Sequence, residues 1–288
     1  MCCDDSVTVL HDPAELRETA VQLAAEAAAH VRRRRPEVFG AAAAGGSVRT
    51  KSTPTDPVTV VDTETERLLR DRLAATRPGE PVLGEEEGGP SAPARPGAVT
   101  WVLDPIDGTV NFVYGIPAYG VSVAARVDGV SVAGAVADVA AGTLYAAARG
   151  AGARVRDADG AWHPLRCTAV TDLAMTLVGT GFAYARDRRA RQAAVVAEML
   201  PAVRDIRRIG SAALDLCAVA AGRLDGYYEH GLKEWDWAAG ALIAAEAGAA
   251  VRFPADLQAG AVVAAAPGVI EALTALLAGR GALDGLPG

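Results

Sequence analysis

The chain has 288 residues, of which 51% are hydrophobic and 22% charged, and its net charge is −7. This balance suits one large domain or two ordinary ones and excludes general disorder. The negative charge argues against nonspecific nucleic-acid binding, which needs a basic surface. Aromatic residues make up only 5%, so the core must be built largely from Ala, Val and Leu. Cys2, Cys3, Cys167 and Cys217 form no C-x-x-C pair, the N-terminus lacks a signal pattern, and no apolar run reaches membrane-span length. A reducing cytoplasm is the expected setting. The four histidines, at 11, 30, 163 and 230, are scattered, which leaves carboxylates as the available chemistry.

Asp12-Pro13 predicts a helix start, and Leu16, Ala20, Leu23, Ala24 and Ala27 recur at helical spacing up to an expected end before Pro36. The run Arg32 to Arg35 then sits at a helix terminus, where cations oppose the dipole. Residues 37–50 read as a loop or short strand. Val58 to Val61 is a short strand or a lead-in to a helix that Asp62 caps and that runs to about Ala75. Pro81 to Leu83 is a strand ending in Glu85-Glu86-Glu87, and Pro90 to Pro96 is an exposed excursion. Thr100 to Leu103 is a buried strand stopped at Asp104-Pro105. Tyr119 to Val139 is a hairpin turning at Asp128-Gly129, extended by 142–148 and 152–155. A domain change is placed near residue 168, dividing the chain into 1–168 and 169–288. Beyond it, strands at 177–182, 226–229, Val251 and Val262 alternate with helices at 188–200, 210–221, 235–247 and 268–277, as in a layered α/β unit.

Asp104 and Asp107 stand three residues apart at a strand end, fixed by Pro105 and Gly108, with the Thr109 hydroxyl beside them. A plain turn capped by Asp107 would explain them locally. Glu85, Asp236 and Asp62 follow the same pattern, each closing a strand or opening a helix. Strand ends are where layered α/β folds gather ligands. Four or five carboxylates meeting there would suit hard divalent cations able to neutralise a phosphate and activate water. Ser211 and Ala212, at a helix start, could add backbone N–H donors.

Five ordered segments carry a resemblance: Asp56-x-Val-Thr-x-x-Asp62, Gly84-Glu85-Glu86, Trp101-x-x-Asp104-Pro-Ile-Asp107-Gly-Thr109, Gly210-Ser211-Ala212-Ala213 and Trp235-Asp236-x-Ala-Ala-Gly240. From about residue 12 to 275 the chain resembles the inositol monophosphatase family, the Mg²⁺-dependent, lithium-sensitive phosphatases related to fructose-1,6-bisphosphatase. The resemblance implies an αβαβα sandwich with the active site between two subdomains, and a homodimer. It implies that Glu85, Asp104 and the Ile106 carbonyl hold one Mg²⁺, that Asp104, Asp107 and Asp236 hold a second, and that a weaker third leans on Glu85. Asp62 and Thr109 would activate water. Gly108 and Thr109 N–H groups would grip phosphate, and Ser211, Ala212, Glu229 and Asp236 would face the substrate. Val110 and Tyr114 depart from the residues common in the family. The implied reaction is hydrolysis of a small polyol phosphate, myo-inositol 1-phosphate first. Histidinol phosphate, a sugar bisphosphate and a nucleotide phosphate are rivals. An RNA- or polymerase-associated role is the alternative outside enzymology, and a Ca²⁺-binding structural protein is a third idea.

Overall fold

Asp12 and Pro13 open the first helix as expected. Asp12 Oδ1 accepts the Ala14 N–H at 2.9 Å, and α1 runs Pro13–Phe39. The computed structural model describes residues 11–39, 48–51, 57–90, 94–257 and 259–286. Leu16, Ala20, Leu23, Ala24 and Ala27 are all buried, at the predicted helical period. The expected end before Pro36 is corrected, since α1 continues through it. Pro36 forfeits an intrahelical bond, but Val38 is buried and Phe39 meets Phe112 edge-on at 5.4 Å, so packing offsets the break. The arginine run ties α1 to its neighbours instead of serving as terminal charge. Arg32 donates to Val139 O, Arg34 to Glu64 and Arg35 to Phe112 O.

Of the loop or short strand expected at 37–50, the first residues belong to α1 and the last form β1 (Val48–Thr50), paired antiparallel with β2 (Pro57–Thr59); Gly40, Gly45 and Gly46 lie outside the described residues. Next comes α2 (Val60–Thr76), whose cap is Thr59 and not Asp62. Thr59 Oγ1 accepts the Val61 N–H at 3.1 Å, and Asp62, the third residue of the helix, accepts the Thr59 N–H at 2.9 Å. Asp62 therefore completes a reciprocal capping box.

A seven-stranded sheet follows: β3 (Val82–Gly84), β4 (Val99–Asp107), β5 (Gly120–Val127), β6 (Val130–Asp138), β7 (Thr143–Ala148), β8 (Ala153–Arg156) and β9 (Trp162–Pro164), side by side in that order. A short helix, α3 (Thr109–Tyr114), follows β4. Only β3 and β4 are parallel; the other neighbours are antiparallel. The Asp128-Gly129 turn stands as expected, with φ of 48° and 77°, as a tight hairpin between β5 and β6 requires. Of the Pro90–Pro96 excursion, residues 91–93 lie outside the described residues. The strand expected to stop at Leu103 instead runs on to Asp107. Asp104 pairs with Ser122 and Asp107 with Gly120, and the register shifts between them. Pro105 is accommodated in that bulge, where no ladder N–H is required.

The C-terminal part contains β10 (Leu177–Thr180), α4 (Arg186–Met199), β11 (Asp205–Arg207), α5 (Ala212–Ala220), β12 (Gly226–His230), α6 (Glu234–Glu246), β13 (Ala250–Arg252), β14 (Ala261–Ala265) and α7 (Ile270–Ala278). The strands form a second sheet in the order β11-β10-β12-β14-β13, parallel across β11, β10 and β12. Alternating side chains connect the layers. Trp101, Leu103, Val121 and Val123 face α1 and α2, while Val102 and Ala124 face α5 and α6. Tyr227 and Val262 close on the other side of α5 and α6, and Tyr228 and Val263 face α4 and α7. The order is thus helix, sheet, helix, sheet, helix, the αβαβα sandwich the sequence led us to expect. No described helix is long and apolar enough to cross a membrane.

Small residues let the middle layer sit close. A Cβ on Gly134 of β6 would lie 2.9 Å from Ala239 Cα of α6. Gly134→Val is expected to cost about 1–3 kcal/mol by overpacking, read as a lower urea midpoint. An unchanged midpoint would mean that this approach is not tight.

Candidate active site

The bulge at the end of β4 turns both of its acids the same way. Asp104, Asp107 and Asp236 each place a carboxylate oxygen within 4.8 Å of the others. Asp236 arrives from the first turn of α6, where it accepts the Lys233 N–H at 2.6 Å. Asp107 is held by Ser211 Oγ at 2.6 Å and by the Ala213 N–H at 2.7 Å, so the N-terminus of α5 is spent on a carboxylate. Glu85, in the turn after β3, stands beside Asp104 and its charge raises that acid further. Glu85, Asp104, Ile106, Asp107, Gly108, Thr109, Ala212, Glu229 and Asp236 all border one cavity of about 500 Å³.

Two expected residues are set back from it. Ser211 is buried and its hydroxyl turns to Asp107, so it positions that acid instead of lining the cavity. Asp62 lies behind the wall, wholly buried, and accepts the Thr109 hydroxyl through Oδ1 at 3.2 Å; the same hydroxyl is 2.9 Å from Ile106 O. Burial pushes Asp62 up to about 6 despite its bonds from Thr59. Burial likewise raises Glu229 to about 7, against the pull of the Tyr227 hydroxyl 2.6 Å away. A Cβ on Gly181 would fall 1.9 Å from the Glu229 carboxylate, so that glycine leaves room for the acid.

The electrostatics of the cluster point to a cation. Burial, then Glu85, Asp107 and Asp236, hold Asp104 well above the carboxylate range; burial, then Asp107 and Glu85, do the same to Asp236. Converging oxygens that repel one another, with no nitrogen or sulfur donor in the group, fit a hard divalent ion. Lys51 supplies part of the neutralisation. Its Nζ lies 2.8 Å from Glu85 Oε1 and 2.6 Å from Glu86 Oε1.

Sequence reasoning misses Glu66. Its buried carboxylate accepts the N–H groups of Glu86 at 2.7 Å and Glu87 at 3.0 Å and pairs with Arg70. Gly84 has no room for a Cβ because Glu66 Oε1 would lie 2.2 Å from it. Glu66 thus fixes the turn that presents Glu85. The available signal was its place four residues after Asp62, on one helix face.

A layered sandwich with acids gathered at strand and helix ends beside a bordered cavity defines a phosphatase of the sugar-phosphate type. Residues 12–280 match the family described as "Inositol monophosphatase family". The "Inositol-1-monophosphatase" of Mycobacterium leprae is 68% identical over 276 residues, 93% of this chain and 94% of that protein. The solved structure of Mycobacterium tuberculosis SuhB superposes with a TM-score of 0.81 at 59% identity, covering 95% of this chain and all of that one. The "Nus factor SuhB" of Pasteurella multocida is 40% identical over 221 residues, 75% of this chain and 80% of that protein. The chain belongs to the inositol monophosphatase family and is a phosphoric monoester hydrolase.

Glu66→Ala is expected to weaken divalent-cation affinity by about 10- to 100-fold, as loss of an outer-shell partner does. A Mg²⁺ titration of the thermal unfolding midpoint measures this. An unchanged titration would mean that the Glu85 turn holds itself.

Proposed function

We propose that the chain is a Mg²⁺-dependent phosphomonoesterase acting on a small polyol phosphate, with myo-inositol 1-phosphate as the first substrate. The observation that carries this reading is the convergence of Asp104, Asp107 and Asp236. The name of the M. leprae relative supports the substrate. In this reading Glu85, Asp104 and the Ile106 carbonyl would hold one Mg²⁺, Asp104, Asp107 and Asp236 a second, and Glu85 a weaker third. Bound Mg²⁺ supplies charge neutralisation at phosphate and lowers the pKa of water.

The protein's own groups do the rest. Asp62 accepts the Thr109 hydroxyl, and in this reading the pair orients a water and takes up its proton. The Gly108 and Thr109 N–H groups, at the start of α3, face the phosphate. Ala212 lies on the leaving-group side, and Glu229 accepts a polyol hydroxyl there. Water attacks in line with the departing alkoxide, so positioning and charge account for most of the rate. The proposal also takes residues 1–168 and 169–288 as subdomains flanking the site. It takes the chain as a homodimer in the cytoplasm.

The test is phosphate release from myo-inositol 1-phosphate, histidinol phosphate, fructose 1,6-bisphosphate and 3′-phosphoadenosine 5′-phosphate. Turnover is expected with Mg²⁺, concentrated on the inositol ester, and lost in EDTA. Asp62→Asn should lower kcat by about 10²- to 10⁴-fold, the usual range for a general base. No release by folded protein from any of them would shift weight to a polymerase-associated role like that named for the P. multocida relative.

A further inference from the structure

Two main-chain carbonyls from distant parts of the chain wall in Gly108. A Cβ on Gly108 (φ 92°) would fall 3.0 Å from Ala118 O and 3.1 Å from Gly210 O, so only glycine fits the turn there. Ala118 lies just before β5 and Gly210 just before α5. One side chain spans this slot. Asn111 of α3 is buried, and its Nδ2 donates to Ala118 O at 2.7 Å and to Ile209 O at 2.9 Å. Its main chain serves the same loop, since Asn111 O accepts the Ile116 N–H at 2.9 Å. Gly210 leaves room for the amide, because a Cβ there would lie 2.9 Å from Nδ2.

The turn is thereby bracketed. On one side Asp107 accepts from Ser211 Oγ and the Ala213 N–H, and on the other Asn111 donates to Ile209 O. Both flanks of Gly108 and Thr109 are thus tied to the stretch 209–213, at separations of 98 to 106 positions. A staple for the loop before β5 would need only the Ala118 bond, seven residues along. The second bond crosses to the connection that leads into α5. The partners also dictate the residue type. Two carbonyls require two N–H donors in one plane, which a primary amide supplies, whereas a carboxylate of the same shape would face both with oxygen. An apolar side chain would withdraw both bonds. Asn111 has no acid or base chemistry, so whatever it contributes comes through geometry.

We propose that Asn111 is a positioning residue for phosphate: it holds the Gly108–Thr109 turn against the start of α5, so that the two N–H groups of the turn keep their aim while water attacks. The inference rests on the phosphatase reading and deepens it. Asn111 touches neither cation nor substrate in this scheme. It acts through Gly108 and Thr109, whose N–H groups shift when the bracket opens on one side. The acids keep anchors of their own, Asp107 on Ser211 and Ala213 and Asp236 on the Lys233 N–H. Loss of the amide should therefore damage phosphate handling and spare cation binding.

The test pairs kinetics with two titrations of the thermal unfolding midpoint, for wild type, Asn111→Ala and Asn111→Asp. In saturating Mg²⁺, kcat for myo-inositol 1-phosphate should fall about 100-fold in both variants, as a misplacement of about 1 Å costs. Titration with inorganic phosphate in Mg²⁺ should show an affinity weakened about tenfold, the size of one hydrogen bond to a charged group. Titration with Mg²⁺ alone should match wild type. Leu16→Ala, which opens a cavity under α1, is the control for lost stability, and it should lower the midpoint and keep kcat. If Asn111→Ala does not fold, Asn111→Ser, which keeps a hydroxyl donor, replaces it under the same criteria. A kcat equal to wild type in the Asn111 variants would overturn the assignment, because the amide would then only staple the loop. Mg²⁺ affinity weakened as much as phosphate affinity would also overturn it, because the amide would then serve the acids. No turnover of the ester by folded wild type would remove the phosphatase reading alone, since the phosphate titration still decides the role of Asn111. A wild type that does not respond to phosphate either would remove both.

Discussion

Mutual repulsion among buried carboxylates is the constraint on which the rest of this structure depends. Three acids with oxygens inside 4.8 Å of one another, and a fourth beside one of them, would separate if their backbones were free to move. The fold does not relieve the strain by spreading them. It fixes each acid from a different direction and leaves the excess charge for a cation to balance.

The fixing devices are ordinary ones used together. A bulge in β4 turns Asp104 and Asp107 to one side, the first turn of α6 presents Asp236, and the N-terminus of α5 holds Asp107 through Ser211 and Ala213. Glu66 clamps the turn of Glu85 from beneath. Two of the four anchoring points are helix N-termini, whose unpaired N–H groups favour negative charge. The same cavity is bordered by Arg188, Arg208 and Lys233 as well as by the acids.

Much of this was legible in the sequence, and the residues show why. Asp104-Pro-Ile-Asp107-Gly is a local pattern, so its acids could be singled out before any contact was known. The hairpin at Asp128-Gly129 was equally clear, because that turn demands positive φ. Errors arose where tertiary contacts outweighed a local rule. Pro36 did not end α1 because Phe39 had a partner in Phe112, and Pro105 did not end β4 because the bulge needed no donor there. Asp62 was assigned a cap that belongs to Thr59, three residues away. Ser211 looked like a cavity residue, yet its partner, Asp107, is 104 positions distant, a separation that no window of sequence displays. Glu66 was passed over for the same reason. Its meaning lies in what stands opposite it, the backbone of the turn that presents Glu85.

The close approach of Gly134 to Ala239 has a consequence beyond packing. Asp236 rides on α6, Asp104 and Asp107 ride on β4, and α6 lies against the seven-stranded sheet that includes β4. The gap between these acids is therefore measured by the thickness of the helical layer next to the sheet, which is set by glycine and alanine. A metal held at these acids would have its aperture set by the core. The ionic radius the cluster could accept and the volume of side chains buried around Ala239 would then be two readings of one length.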